Sequence, residues 1–264
     1  MRTPSRISDP RPRLLKLALT LVLLAPVASL GAPTAAVAAP AECSYPADVL
    51  DLTGWKVTLP TGGDEDPQEV TQPELAEFAA DPWFVALEDC DGVQFRAAVN
   101  GVTTGGSSYP RSELREMTAD GSDEAEWSTS EGTHIMTVEE AITALPAEKP
   151  EVVAAQIHGG GDDLTTIRLN GSELYVTNDD NSRYHLITAD YQLGTRFTAE
   201  FRATGGAIEV YYNGELETTI EVDSDSAYFK AGAYTQANCE RSDPCDDSNF
   251  GEVQIFGLAV SHQD

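Results

Sequence analysis

Basic side chains are scarce in this chain. Its 264 residues carry 16 Lys and Arg against 44 Asp and Glu, a formal net charge of −28. So acidic a surface repels phosphate backbones, which excludes nucleic acid as a partner. Cysteine is also rare. The four present are Cys43, Cys90, Cys239 and Cys245, with no C-x-x-C pair and no histidine beside them. That pattern does not supply a zinc site. No G-x-S-x-G element marks an activated serine, and no H-E-x-x-H element marks a zinc-binding helix. None of these motifs points to a metal. Asp179-Asp180-Asn181 could bind calcium, but the plainer reading is an acidic turn.

Long apolar runs are missing after Leu30. None reaches the roughly 20 residues that a helix needs to cross a bilayer. The start of the chain differs. Arg2, Arg6, Arg11, Arg13 and Lys16 form a basic stretch, an apolar run covers Leu14 to Leu30, and small residues lead to Ala36-Val37-Ala38. This is the layout of a secretory leader with an A-x-A cleavage site. Residues 1–38 are expected to be removed, leaving 39–264 as one exported, extracellular domain. A membrane anchor is the weaker reading, since Lys16 and Pro26 interrupt the run. All four cysteines follow the leader and should pair in an oxidising compartment. Cys239 and Cys245 enclose a short loop and are expected to bond each other, which leaves Cys43 for Cys90. A soluble monomer is the default expectation.

Helix signals are few. Gln72–Ala80 is the candidate, with Thr71 as its cap. Elsewhere the apolar period is two. Ala207–Tyr212 and Glu215–Val222 flank Asn213-Gly214, a hairpin signature. Thr165–Leu169 and Glu173–Thr177 flank Asn170-Gly171 in the same way. Further strands are predicted at Gly92–Ala98, Ser112–Met117, His134–Ala144, Val152–His158, Arg196–Ala203, Tyr228–Gln236 and Val253–His262. Many short strands in a chain of this size predict a single all-β sandwich or jelly roll.

Three of these strands carry chemistry, because alternate side chains on a strand share a face. Arg111, Glu113 and Arg115 fall on one face, with Leu114 on the other. Paired N–H groups of arginine grip carboxylates, and a glutamate between them can hold their geometry. Gln156 and His158 share a face, with Ile157 opposite. Tyr228, Lys230, Gly232, Tyr234 and Gln236 form a polar row backed by Phe229, Ala231 and Ala233. Gly232 reads as a gap where a ligand could approach the backbone. His134, His185 and His262 lack a comparable partner in register and read as incidental. Singly, each row also fits an ordinary charged or aromatic strand. Together they offer cations, an imidazole, a phenol and an amide to one anionic sugar. The acidic total does not forbid this, since salt screens exposed charges beyond about 10 Å at 0.1 M.

Arg-Ser-Glu-Leu-Arg at 111–115, Gln-Ile-His at 156–158 and Tyr-Phe-Lys-Ala-Gly-Ala-Tyr-Thr-Gln at 228–236 resemble, in order, the signature blocks of polysaccharide lyase family 7, the alginate lyases. The likeness runs from about Tyr45, through Trp55-Lys56-Val57-Thr58-Leu59-Pro60, to the C-terminus. It implies a concanavalin-like β-jelly roll with a substrate groove on its concave face. It implies Arg111, Gln156, His158 and Tyr234 as catalytic residues, and Glu113, Arg115, Lys230 and Gln236 as groove residues that bind sugar. The substrate would be alginate, cut by β-elimination without a cofactor. Ile157 hints at guluronate-containing blocks. The rivals are a non-catalytic carbohydrate-binding module and a glycosidase with two carboxylates.

Overall fold

The computed structural model describes residues 42–178 and 182–263. The leader expected at 1–38 and the acidic turn expected at Asp179-Asp180-Asn181 lie outside the described residues. Two antiparallel sheets make up the fold. The eight-stranded sheet runs, edge to edge, Arg183–Thr188, Glu173–Thr177, Asp162–Asn170, Glu151–Gly159, Tyr228–Thr235, Arg111–Glu116, Trp55–Gly63, Asp66–Val70. The seven-stranded sheet runs Glu215–Glu221, Ala207–Tyr212, Phe197–Thr204, Thr133–Ala144, Phe250–Gln263, Val93–Ala98, Phe84–Ala86. This is the jelly roll that the strand pattern led us to expect.

The core fills the space between the sheets. Leu114, Ile157 and Phe229, the inner-face residues of the three chemistry-bearing strands, are fully buried there, along with Phe95, Phe201 and Val253. Burying each such side chain contributes about 1.5–3 kcal/mol. The same alternation forces the residues between them onto the outer face.

Local signals held in most places. Tyr212 pairs Glu215 across a two-residue turn in which Asn213 (φ 51°) and Gly214 (φ 81°) are both left-handed. Only Gly and Asn adopt that conformation cheaply, which is why this dipeptide closes the hairpin. In the second hairpin Asn170 pairs Glu173, so the turn sits one residue later, at Gly171-Ser172. Both disulfides join the expected partners, Cys43 to Cys90 and Cys239 to Cys245. Among the described residues no helix is long and apolar enough to cross a membrane.

The helix predicted at Gln72–Ala80 is a single 3-10 turn, Glu74–Glu77, and Thr71 gives it no side-chain cap. Leu75 anchors this turn in the core, and the backbone is extended again by Phe78 (φ −113°, ψ 137°). One buried anchor and four residues are too little to propagate an α-helix against its nucleation cost.

Candidate active site

The three chemistry-bearing strands are neighbours. Tyr228–Thr235 lies between the other two, pairing Lys230 with Arg115 and Tyr234 with Arg111 on one side. On its other side it pairs Tyr228 with His158 and Lys230 with Gln156. Register therefore delivers Arg111, Gln156, His158 and Tyr234 to one face of one sheet.

Two cavities lie along that face. One, of about 320 Å³, is lined by Arg111, Gln156, His158, Lys230 and Tyr234, with Lys56 and Arg115. The other, of about 470 Å³, continues past Tyr234 to Gln236, Arg168 and Lys149. Tyr234 and Ser107 line both, so they stand where the two halves meet. Seven of the chain's 16 basic residues line these cavities. Local cations in an acidic protein thus resolve the apparent conflict between its net charge and an anionic sugar.

Glu113 organises the floor. It has no exposed surface, so it cannot touch a sugar directly, contrary to the expectation that it binds one. Instead, Lys230 Nζ lies 2.6 Å from its Oε2, Arg111 Nη1 donates to that oxygen at 3.2 Å, and Gln156 Nε2 donates to its Oε1. Burial alone would push its carboxyl up. Lys230, Arg111 and the hydrogen bonds outweigh burial and hold it below the usual carboxylate range. Lys230 pays a related cost: its burial brings the ammonium down to about 8, and Glu113 only partly offsets this.

His158 stacks on Tyr228 with ring centroids 5.1 Å apart. Its Nδ1 is buried without a hydrogen-bond partner. Burial first, then the nearby Lys230 charge, lowers its pKa to about 4. The imidazole is therefore neutral near pH 7 and able to accept a proton. Tyr234 carries the Arg111 guanidinium over its ring, 4.0 Å from the centroid, and its Oη lies 2.8 Å from Ser107 Oγ.

The remaining groove residues have partners, although Gln236 Nε2 is buried without one. Arg115 lies over the Tyr228 ring and bonds Glu124 at 3.2 Å. Gln236 accepts from Arg168 through Oε1 at 3.0 Å. Lys56, unassigned in the sequence reading, reaches both Glu69 and Glu124 at 2.8 Å. Ser107, Tyr109, Lys149 and Arg168 were likewise missed. Ser107, Tyr109 and Lys149 sit outside the strands, where periodicity carries no signal, and Arg168 sits on a strand read only as half of a hairpin.

Two further readings need correction. A side chain on Gly232 would meet Ser112 O at 2.6 Å and Phe95 Cδ1 at 3.0 Å, with φ at 139°. Its missing Cβ serves an irregularity of the strand against the core, not ligand approach. His134, His185 and His262 are not without partners. His134 pairs His262 across adjacent strands, their Nδ1 atoms 2.7 Å apart, and His262 Nε2 lies 2.7 Å from Glu116 Oε1. His185 Nε2 lies 3.0 Å from Glu217. Among the described residues no group of His, Cys, Asp and Glu is arranged to hold a metal ion.

Known proteins share this fold. A family model described as alginate lyase matches residues 50–262. The crystal structure of an alginate lyase from Corynebacterium sp. superposes with a TM-score of 0.82 at 56% identity, covering 84% of this chain and 99% of that one. Alginate lyase A1-II', a member of polysaccharide lyase family 7, superposes with a TM-score of 0.71 at 27% identity, over 84% of this chain and all of that one. A variant of that enzyme was solved in complex with a substrate written GGMG. A curated alginate lyase from Klebsiella pneumoniae is 35% identical over 75 residues, which spans 27% of this chain and only 24% of that protein. By family match and overall superposition, the chain belongs to the alginate lyases of polysaccharide lyase family 7.

Proposed function

We propose that this protein is an exported alginate lyase that cleaves within the polymer by β-elimination and prefers guluronate-containing blocks. One observation carries the catalytic reading: a neutral imidazole, a phenol, a guanidinium and an amide share one groove lined with cations.

The chemistry asks for three things. The uronate carboxylate must be neutralised so that C5 can lose its proton. Arg111 and Gln156 are the donors for this, since Gln156 spends one N–H on Glu113 and keeps a second. A donor aimed at developing charge is worth roughly 3–4 kcal/mol. A base must take the C5 proton, and neutral His158 is that base for guluronate. An acid must protonate the departing O4, and Tyr234 supplies that proton. The C5–H electron pair becomes the C4–C5 double bond, and the C4–O4 pair leaves with the oxygen. In mannuronate, proton and leaving group lie on the same side, and Tyr234 serves as both base and acid.

Cleavage within the polymer is supported by the groove continuing on both sides of Tyr234. The guluronate preference rests on Ile157. That residue is fully buried, so it acts through the placement of Gln156 and His158. Export is supported by the leader-like pattern of residues 1–38 and by two disulfides.

The test is separate digestion of polyguluronate and polymannuronate, followed by the ultraviolet absorbance of the unsaturated product and by product length. Polyguluronate should be cut faster, into long fragments first. A hydrolase would release sugar without the absorbance, and a binding module would release nothing. Tyr234→Phe should fold normally and lose about 10²-fold or more in turnover. Near-normal turnover in that variant removes Tyr234 from the mechanism.

A further inference from the structure

The phenol of Tyr234 shares a hydrogen bond with a side chain beyond the three rows, Ser107. Ser107 lies in the irregular segment 99–110, between the Val93–Ala98 and Arg111–Glu116 strands. A serine on a loose loop could not hold a catalytic phenol. This segment is tied down at several points. Ser107 N donates to Thr104 O at 2.9 Å, and Asn238 Nδ2 donates to Ser108 O at 3.1 Å. Lys149 Nζ donates to Tyr109 Oη at 3.1 Å and stands 4.4 Å from the centre of that ring. The same ammonium donates to Gln236 O, two residues beyond Tyr234. Lys149 thus brackets the loop and the strand whose spacing sets the contact between Ser107 and Tyr234.

The hydroxyl has the right capacity. A serine offers one donor and two acceptor positions. Tyr109 N–H takes one acceptor position at 3.1 Å. The second acceptor position remains for Tyr234 Oη at 2.8 Å, while the hydroxyl proton can point to Tyr109 O at 3.3 Å or turn to Tyr234 Oη.

We propose that Ser107 is a positioning residue for Tyr234. Its hydroxyl accepts from the phenol before elimination, then rotates to donate to the phenolate once that proton has passed to O4. This rests on the reading of Tyr234 as the acid. The serine proton stays on Oγ throughout. The proton taken from C5 leaves through solvent, and Tyr234 is reprotonated from solvent, so the cycle balances.

The experiment is steady-state kinetics on polyguluronate with the full chain and its Ser107→Ala, Ser107→Thr, Tyr234→Phe and Ser107→Ala/Tyr234→Phe variants, each checked for cooperative unfolding. Loss of a donor to a charged oxygen predicts a fall in kcat of about 10- to 10²-fold for Ser107→Ala, with KM within about twofold. Ser107→Thr keeps the hydroxyl and should recover most of kcat. In the Tyr234→Phe background Ser107→Ala should cost nothing more, because the two groups act as one unit. Unchanged kcat in Ser107→Ala overturns the proposal. So does an equal loss in both backgrounds, or a loss confined to KM. An active Tyr234→Phe variant sinks the underlying assignment of the acid instead, which keeps the two failures distinct.

Discussion

Two carboxylates, Glu113 and Glu140, are both completely buried, yet their surroundings give them opposite characters. Glu113 lies under the groove, with Lys230, Arg111 and Gln156 as donors, and is held ionised. Glu140 sits on the Thr133–Ala144 strand in the row of Met136, Val138 and Ile142, all of them core residues. Neither of its oxygens has a hydrogen-bond partner, and burial pushes its pKa up to about 8. Burial therefore does not decide whether an acid is charged; the donors that reach it do. In the groove the ionised acid fixes the cations that face the sugar. Between the sheets the neutral acid only fills space.

That contrast can be broken at either end. The largest effect should come from Glu113→Gln, which leaves Lys230 and Arg111 near the floor without their counter-charge. Breaking a buried pair costs about 3–5 kcal/mol, and turnover should fall with it. Urea unfolding measures the first and product absorbance the second. A loss under about 1 kcal/mol would mean that Glu113 is not the hub.

Glu140→Leu should act in the opposite direction. The folded protein holds this proton up to about pH 8, well above the ordinary value of 4.5. Stability linked to this group is therefore full below about pH 4.5, is lost as pH rises, and levels off above about pH 8. The leucine variant removes an unsatisfied polar group and that slope, so it should gain about 1–3 kcal/mol in acid, where the carboxyl is neutral, and more than that above pH 8. Urea titrations at both ends of that range measure the gain. An equal or negative change at high pH would show that Glu140 has a partner in solution.

The smallest effect sharpens the comparison through a neighbour. Because the pKa of His158 is lowered to about 4, the acid limb of kcat/KM should lie well below the ordinary histidine range. Lys230→Met removes a charge that opposes protonation, so the limb should move up in pH. A limb that stays in place in the Lys230→Met profile would exclude Lys230 as the cause.

The shared face of the candidate site was readable in the sequence. Arg111, Gln156, His158 and Tyr234 lie on strands, where alternation alone assigns a face, and Leu114, Ile157 and Phe229 mark the opposite one. The reading failed where neighbours in space, not in sequence, set the outcome. Glu139 and Glu140 are adjacent and identical, yet one is exposed and the other fully buried. His134 and His262 looked incidental because 128 residues separate two rings that touch. Ser107 carried no signal because an irregular segment has no period.

The order of residues along the chain determined which side chains share a face, because a strand alternates whatever surrounds it. It also determined the Asn213-Gly214 turn, because few residues tolerate a left-handed backbone. Only the tertiary structure decided that three strands from distant stretches lie side by side, and that Glu113 is charged while Glu140 is not. Pairing and charge depend on what lies within a few ångströms, and that distance is set by the folded chain as a whole.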